Sequence, residues 1–159
     1  MRVGIGYDSH RFTAGRKLIL AGVEIPHHLG LAGHSDADAV AHAVTDAMLG
    51  AAALGDIGTH FPPSDPAFQD ADSIELLRQA NALLEGRGYQ VVNIDVTVIC
   101  EAPRIGPHTT AMRQKLAAAL GIGVKHISVK GKTNEGMGWI GQGEGLAVMA
   151  TALIATVEG

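Results

Sequence analysis

Apolar and polar positions change period several times along the chain. Val3, Ile5 and Tyr7 alternate with Gly4, Gly6 and Asp8, the period-two pattern of a strand, so residues 2–10 should be extended with Asp8 and His10 on one side. Residues 17–25 read as a short hairpin-like pair around Ala21 and Gly22. After a turn at Gly33, the Ala-rich residues 36–54 read as the first helix, with Asp38, His42 and Asp46 four apart on one face. Ser35 with Asp38 makes a helix-start box. Residues 55–66 are too rich in Gly and Pro for either period and read as a loop of the length that tends to carry function.

Asp72 and Glu75 predict a capping box for a second helix with the apolar stripe Leu76, Leu77, Ala80, Leu83 and Leu84, closed by Gly86. Val92, Ile94, Val96 and Val98 alternate with Asn93, Asp95 and Thr97, which predicts a strand over residues 91–100. A third helix is expected over residues 109–120 with Gly121 past its end, then a strand over 126–130 and a final apolar strand over 146–157. This order defines an α/β sandwich of the α+β type: a mixed four-stranded sheet with three helices on one face, forming a single domain of residues 1–159. The last strand is apolar on both sides, yet three helices cover only one face. The uncovered face therefore predicts self-association.

Composition adds three constraints. With 159 residues and 47% hydrophobic content the chain can bury one real core, but aromatics are only 4% and Gly numbers 21, so the packing must bring backbones close together. A net charge of -4 without any Lys/Arg run argues against a nucleic-acid surface. One cysteine excludes an internal disulfide and fits a reducing compartment, and neither a targeting segment nor a membrane-length apolar run is evident. The expected location is the cytoplasm.

Two segments carry candidate chemistry. Asp8 and His10 at a strand end, with His42 on the first helix, supply the carboxylate and two imidazoles of a catalytic zinc site, where magnesium or calcium would want mostly oxygen ligands. Asp46 or Asp38, one turn from His42, would accept the proton of the ring nitrogen turned away from the metal. The competing reading is an ordinary polar strand end and a packed helical histidine. In residues 131–145, Gly136, Gly138 and Gly141 formally match G-x-G-x-x-G, but the segment leads into a strand rather than opening a helix, which removes the dinucleotide reading. A flexible loop remains, with backbone N–H groups, Lys132 and Thr133 as phosphate donors and Glu135 as a hard-metal ligand, or else a plain strand connection.

Taken together, Asp8-Ser9-His10, His34-Ser35-Asp36, His42, Leu54-Gly55-Asp56-Ile57-Gly58, Asp70-Ala71-Asp72-Ser73, Ala102-Pro103-Arg104, Pro107-His108 and Gly143-Glu144-Gly145 closely resemble the 2-C-methyl-D-erythritol 2,4-cyclodiphosphate synthase family of the non-mevalonate isoprenoid pathway. The match runs in register over essentially the whole chain. The resemblance implies zinc on Asp8, His10 and His42, and catalytic, transition-state-stabilising roles for His34 and Thr133. It implies substrate contacts from Asp8, His10, His34, Ser35, Asp56, Ile57, Gly58, Phe61 and Asp65, and further ones from Trp139 and Gln142. Cys100, Glu101, Ala102, Pro103, Arg104, Ile105 and Gly106 would form a cytidine pocket, while Lys132, Thr133, Asn134 and Glu135 would hold the diphosphate, Glu135 through Mg²⁺ or Mn²⁺. The family is a homotrimer with active sites between subunits, turning a cytidine diphosphate-linked substrate into a cyclic diphosphate and CMP.

Two positions depart from the pattern. Pro63 stands where some members carry an acidic residue, and Gln142 where some carry an Arg that, with Glu144, faces a cavity on the three-fold axis holding isoprenoid diphosphates. Other classes of function use the same ligands: a zinc phosphohydrolase would release free phosphate, and a metal-stapled assembly would turn nothing over.

Overall fold

The computed structural model describes residues 1–157. Its strands are β1 (Arg2–Thr13), β2 (Leu18–Leu20), β3 (Val23–Ile25), β4 (Gly30–Leu31), β5 (Tyr89–Ile99), β6 (Ile127–Lys132) and β7 (Gly145–Thr156). The helices are α1 (Ala39–Ala51), α2 (Ile57–His60), α3 (Ser73–Gly86), α4 (Thr109–Leu120) and α5 (Gly138–Gly141). The sheet runs β4-β1-β7-β5-β6, with β5 and β6 parallel and the other pairs antiparallel, and β2 with β3 forms a separate hairpin. The mixed sheet expected from the pattern is present, widened from four strands to five by the two-residue β4.

Helices α1, α3 and α4 pack on one face of the sheet, over the buried side chains of Ile94, Val96, Val98, Val148, Ala150, Ala152 and Ile154. The small residues explain how closely they lie. A Cβ on Gly4 would stand 2.0 Å from the Ala47 carbonyl oxygen, and one on Gly6 1.9 Å from that of Ala43, so α1 rests directly on the backbone of β1. The opposite face carries Val3, Ile5 and Tyr7 from β1 with Met149 from β7; their exposures are 68%, 66%, 56% and 43%.

Several element details differ from the sequence pattern. Helix α1 starts at Ala39, not at residue 36, because Ser35 and Ala37 both take positive φ and Asp38 is the N-cap, accepting from the Ala41 N–H. Ser35 therefore makes no helix-start box. The 55–66 loop contains the helical turn α2, capped by Asp56, and Pro66–Phe68 form a 3-10 turn capped by Asp65. Asp72 caps α3, but Glu75 pairs with Arg78 instead of reaching back to the cap, and the positive-φ glycine after the helix is Gly88, not Gly86. In β5 a bulge between Val91 and Asn93 turns Val91 inward in place of Val92. The third helix and its left-handed Gly121 end as expected.

Candidate metal centre and nucleotide pocket

The alternation of β1 sends Asp8 and His10 to the face that carries α1, where His42 descends from the helix. One ligand atom from each of the three lies within 4.8 Å of the others. His10 Nε2 is 2.9 Å and His42 Nδ1 3.2 Å from Asp8 Oδ2. Burial works against the charge on Asp8, but hydrogen bonds and Coulomb attraction from both imidazoles outweigh it and hold the carboxyl below its ordinary value. For His10, burial lowers and the Asp8 hydrogen bond and charge raise, with a net rise.

The far side of each ring decides what this cluster suits. His10 Nδ1 is 2.7 Å from the Ala32 carbonyl oxygen, which can only accept, so that nitrogen carries a proton and Nε2 is the one left to exchange its contact with Asp8 for a cation. His42 Nε2 is 2.8 Å from Ser73 Oγ, whose own hydrogen is donated to Asp36 Oδ1; the ring therefore donates through Nε2, and Nδ1 is the nitrogen available to a metal. Two imidazole nitrogens and a carboxylate oxygen converge on one point. Without a cation the rings hydrogen-bond to the carboxylate; with those protons displaced, the set fits a borderline-soft divalent metal with an open position.

Asp46 and Asp38, expected behind His42, are occupied elsewhere. Asp46 accepts the Ile57 N–H at 2.7 Å and thereby anchors α2 to α1. Asp38 accepts from the N–H groups of Ala21 (2.8 Å), Gly22 (2.7 Å) and Ala41 (3.0 Å), tying the β2-β3 turn to the start of α1. Burial pushes the Asp38 carboxyl up to about 6, against those three donors. The true support of His42 is Ser73, distant in sequence.

His34, Ser35, Ile57, Gly58 and Phe61 line a cavity of about 220 Å³ with His10 and His42; Pro63, Phe68 and Leu76 make it mostly apolar. Arg16 donates to the Gly33 carbonyl at 2.7 Å and to that of Ser35 at 2.8 Å, clamping the loop that presents His34. The sequence reading missed Arg16 because its partners are backbone oxygens. Asp56 lies beside this cavity as the α2 cap, held below its ordinary value by the Thr59 hydroxyl and N–H, and Asp65 caps the following 3-10 turn.

A second cavity of about 290 Å³ is lined by Cys100, Glu101, Pro103, Arg104, Ile105 and Gly106 together with Gly131, Lys132 and Thr133. Parallel pairing of β5 with β6 brings the two segments together, and the Cys100 N–H donates to the Lys132 carbonyl at 3.0 Å. Glu101 then accepts the N–H groups of Asn134 at 2.9 Å and Gly136 at 3.2 Å, while Thr133 Oγ accepts the Glu135 N–H at 3.3 Å. Ala102 and Pro103 meet at a cis peptide. Trp139 borders a different cavity, with Ser9, His10, Arg11 and Glu144, and Gln142 is the exposed C-cap of α5. Within one chain, the cavity at His34 and the cavity at Thr133 share no lining residue.

An α/β sandwich with an Asp/His/His cluster able to hold a metal ion and a separate pocket between strand-end loops is what these features define. Residues 1–155 match the model of the YgbB family. The chain is 56% identical over 155 residues to 2-C-methyl-D-erythritol 2,4-cyclodiphosphate synthase of Symbiobacterium thermophilum, covering 98% of this chain and 99% of that one. Among solved structures, IspF of Plasmodium falciparum in its CDP complex superposes with a TM-score of 0.87 at 33% identity, covering 99% of this chain and 97% of that one. The bifunctional IspDF of Campylobacter jejuni gives a TM-score of 0.95 at 41% identity over 99% of this chain, which spans only 42% of that longer protein. The chain belongs to the YgbB family, the family of the 2-C-methyl-D-erythritol 2,4-cyclodiphosphate synthases.

Proposed function

We propose that this chain closes the eight-membered diphosphate ring of 2-C-methyl-D-erythritol 2,4-cyclodiphosphate. A terminal oxygen of the 2-phosphate in 4-diphosphocytidyl-2-C-methyl-D-erythritol 2-phosphate attacks the β-phosphorus, the bond from that phosphorus to the bridging oxygen breaks, and CMP departs with the oxygen. The observation that carries the reading is the convergence of Asp8, His10 and His42, each ring held by a hydrogen-bond partner on its far nitrogen, beside a cavity that His34 lines.

The attacking phosphate is ionised near neutral pH, so no general base is required. The barrier is the meeting of two anions and the in-line placement of the attacking oxygen, and both are matters of position and charge. We assign Zn²⁺ to Asp8, His10 and His42, and Mg²⁺ or Mn²⁺ to Glu135; bound there, such ions supply Lewis-acid neutralisation of phosphate charge. His34, Thr133 and Lys132 donate to the phosphoryl oxygens. The segment from Cys100 to Gly106 takes the cytosine, the apolar walls at Ile57, Phe61 and Leu76 take the methylerythritol carbons, and Pro103 and Pro107 limit the freedom of the base pocket before a ligand arrives.

Assembly belongs to the same proposal. The exposed stripe of Val3, Ile5, Tyr7 and Met149 would be covered in a homotrimer, and the Thr133 pocket of one subunit would then complete the His34 cavity of its neighbour. No helix among the described residues is long and apolar enough to cross a membrane, and we assign the reaction to the cytoplasm. The experiment is ³¹P NMR of the purified chain with the cytidylyl substrate, Zn²⁺ and Mg²⁺. CMP and a cyclic diphosphate are expected; inorganic phosphate would identify a hydrolase, and unchanged substrate would overturn the proposal.

A further inference from the structure

We infer that Ser73, backed by Asp36, is a positioning residue: it fixes the tautomer and orientation of His42 and so sets how tightly the Asp8, His10 and His42 cluster holds a divalent cation. This rests on the metal-centre reading of that cluster. Ser73 is the first residue of α3 and is 1% exposed. Its N–H donates to Asp36 Oδ2 at 3.1 Å and its hydroxyl to Asp36 Oδ1, which also receives the Asp38 N–H at 3.2 Å.

The direction of each hydrogen bond follows from chemistry. An ionised carboxylate can only accept, so the serine hydrogen is committed to Asp36, and the short contact of 2.8 Å to His42 Nε2 requires the ring to donate. A charge-assisted bond on one side of a hydroxyl makes its oxygen a better acceptor on the other. Ser35 Oγ lies 3.3 Å from both His42 Nε2 and Ser73 Oγ, a longer second contact beside the 2.8 Å one from Ser73. The result is a chain from Asp36 through Ser73 to His42 with the serine in the middle. That order excludes a nucleophilic role, because the imidazole gives its proton to the hydroxyl rather than taking one. What it does is keep a proton on Nε2, so that Nδ1, aimed at the ligand position, is the nitrogen that gives its lone pair to a metal.

The test uses the full chain stripped of metal, with Ser73→Ala and Ser73→Thr beside the wild type. Zinc affinity is read by competition with a chromophoric chelator, and the His42 tautomer by ¹H–¹⁵N correlation of its ring. The expected result is a ring protonated at Nε2 in the wild type, partial loss of that proton in Ser73→Ala, affinity weakened about 10–100-fold in that variant, and near-wild-type affinity in Ser73→Thr. Unchanged affinity and tautomer in Ser73→Ala, or equal weakening by both variants, would overturn the inference. Should Ser73→Ala fail to fold, the wild-type spectrum decides, since a ring unprotonated at Nε2 would overturn the relay. A wild type that takes up no zinc but shows the Nε2–H form would instead overturn the metal centre and leave the hydrogen-bond chain standing.

Discussion

Gly6 and Ala43 touch through their backbones: a Cβ placed on Gly6 would stand 1.9 Å from the Ala43 carbonyl oxygen. The helix that carries His42 can reach Asp8 only because the strand beneath it has no side chain at this point and at Gly4. Gly6→Ala must push α1 away from the sheet or distort β1. Overpacking of this kind costs typically 1–3 kcal/mol, and a collision with backbone belongs at or above the upper end. The expected outcome is a melting temperature lowered by roughly 6 °C or more, with weakened metal binding in whatever remains folded, checked by thermal unfolding and zinc titration. A variant as stable as the wild type would show that the helix tolerates displacement.

Asp38 joins two elements that lie far apart in sequence, receiving N–H groups from the β2-β3 turn and from the first turn of α1. In Asp38→Asn the amide oxygen can keep two of those donors, but the amide NH₂ then faces the third. Losing a hydrogen bond to a charged acceptor and leaving a buried N–H without a partner costs about 1.5–3 kcal/mol. Urea unfolding should show a lower midpoint at unchanged slope. The turn at Ala21 and Gly22 should also exchange its amide hydrogens faster in the variant, which hydrogen exchange would detect.

These two contacts mark the boundary of what sequence could reveal. The triad of Asp8, His10 and His42 was legible because strand and helix periods fix which side chains share a face, and the α4 end was legible because Gly121 states its own conformation. Partners that meet only after folding were not. Ser73 reaches His42 across 31 positions, Arg16 grips the carbonyls of Gly33 and Ser35, and the β5 bulge moves Val91 into the core without any local signal. Asp38 and Asp46 had the right helical spacing for His42, but backbone donors from other elements claimed them first. Family resemblance supplied the assignment of residues 100–106 and 132–135, whose proximity comes from parallel pairing of β5 with β6.

Cys100 offers a pH-dependent check on the second cavity. The residue is buried, and desolvation with the nearby Glu101 charge pushes its thiol up to about 11. A raised thiol pKa means the folded state holds its proton longer than the unfolded state, so this group's contribution to stability is intact below about pH 9 and falls as pH rises towards 11. Alkylation by iodoacetamide at pH 8 should be slow in the native chain and rapid in guanidinium, and the native rate should still be climbing between pH 9 and 10.5. CDP, if it occupies the cavity lined by Cys100 and Pro103, should slow the native reaction further. A native rate that levels off near pH 8.5 would mean an exposed, ordinary thiol.

The sharpest prediction concerns where the active site is built. Asp8, His10 and His42 sit at the junction of β1 and α1, whereas Cys100 follows β5, Lys132 ends β6 and Thr133 and Glu135 follow it at the far side of the sheet, and the two cavities have no residue in common. An attacking phosphate and a scissile diphosphate must nevertheless lie within bonding reach of each other. If the exposed stripe of Val3, Ile5, Tyr7 and Met149 is the surface through which copies associate, the two half-sites come together only across an interface. His42→Ala and Glu135→Ala assemblies should each be inactive alone. Unfolded together and reassembled, they should regain activity, because some interfaces then pair an intact metal half with an intact diphosphate half. The measurement is CMP release from the mixture against each parent, with mass spectrometry to confirm that mixed assemblies form. Mixed assemblies as inactive as both parents would place the whole site within one chain.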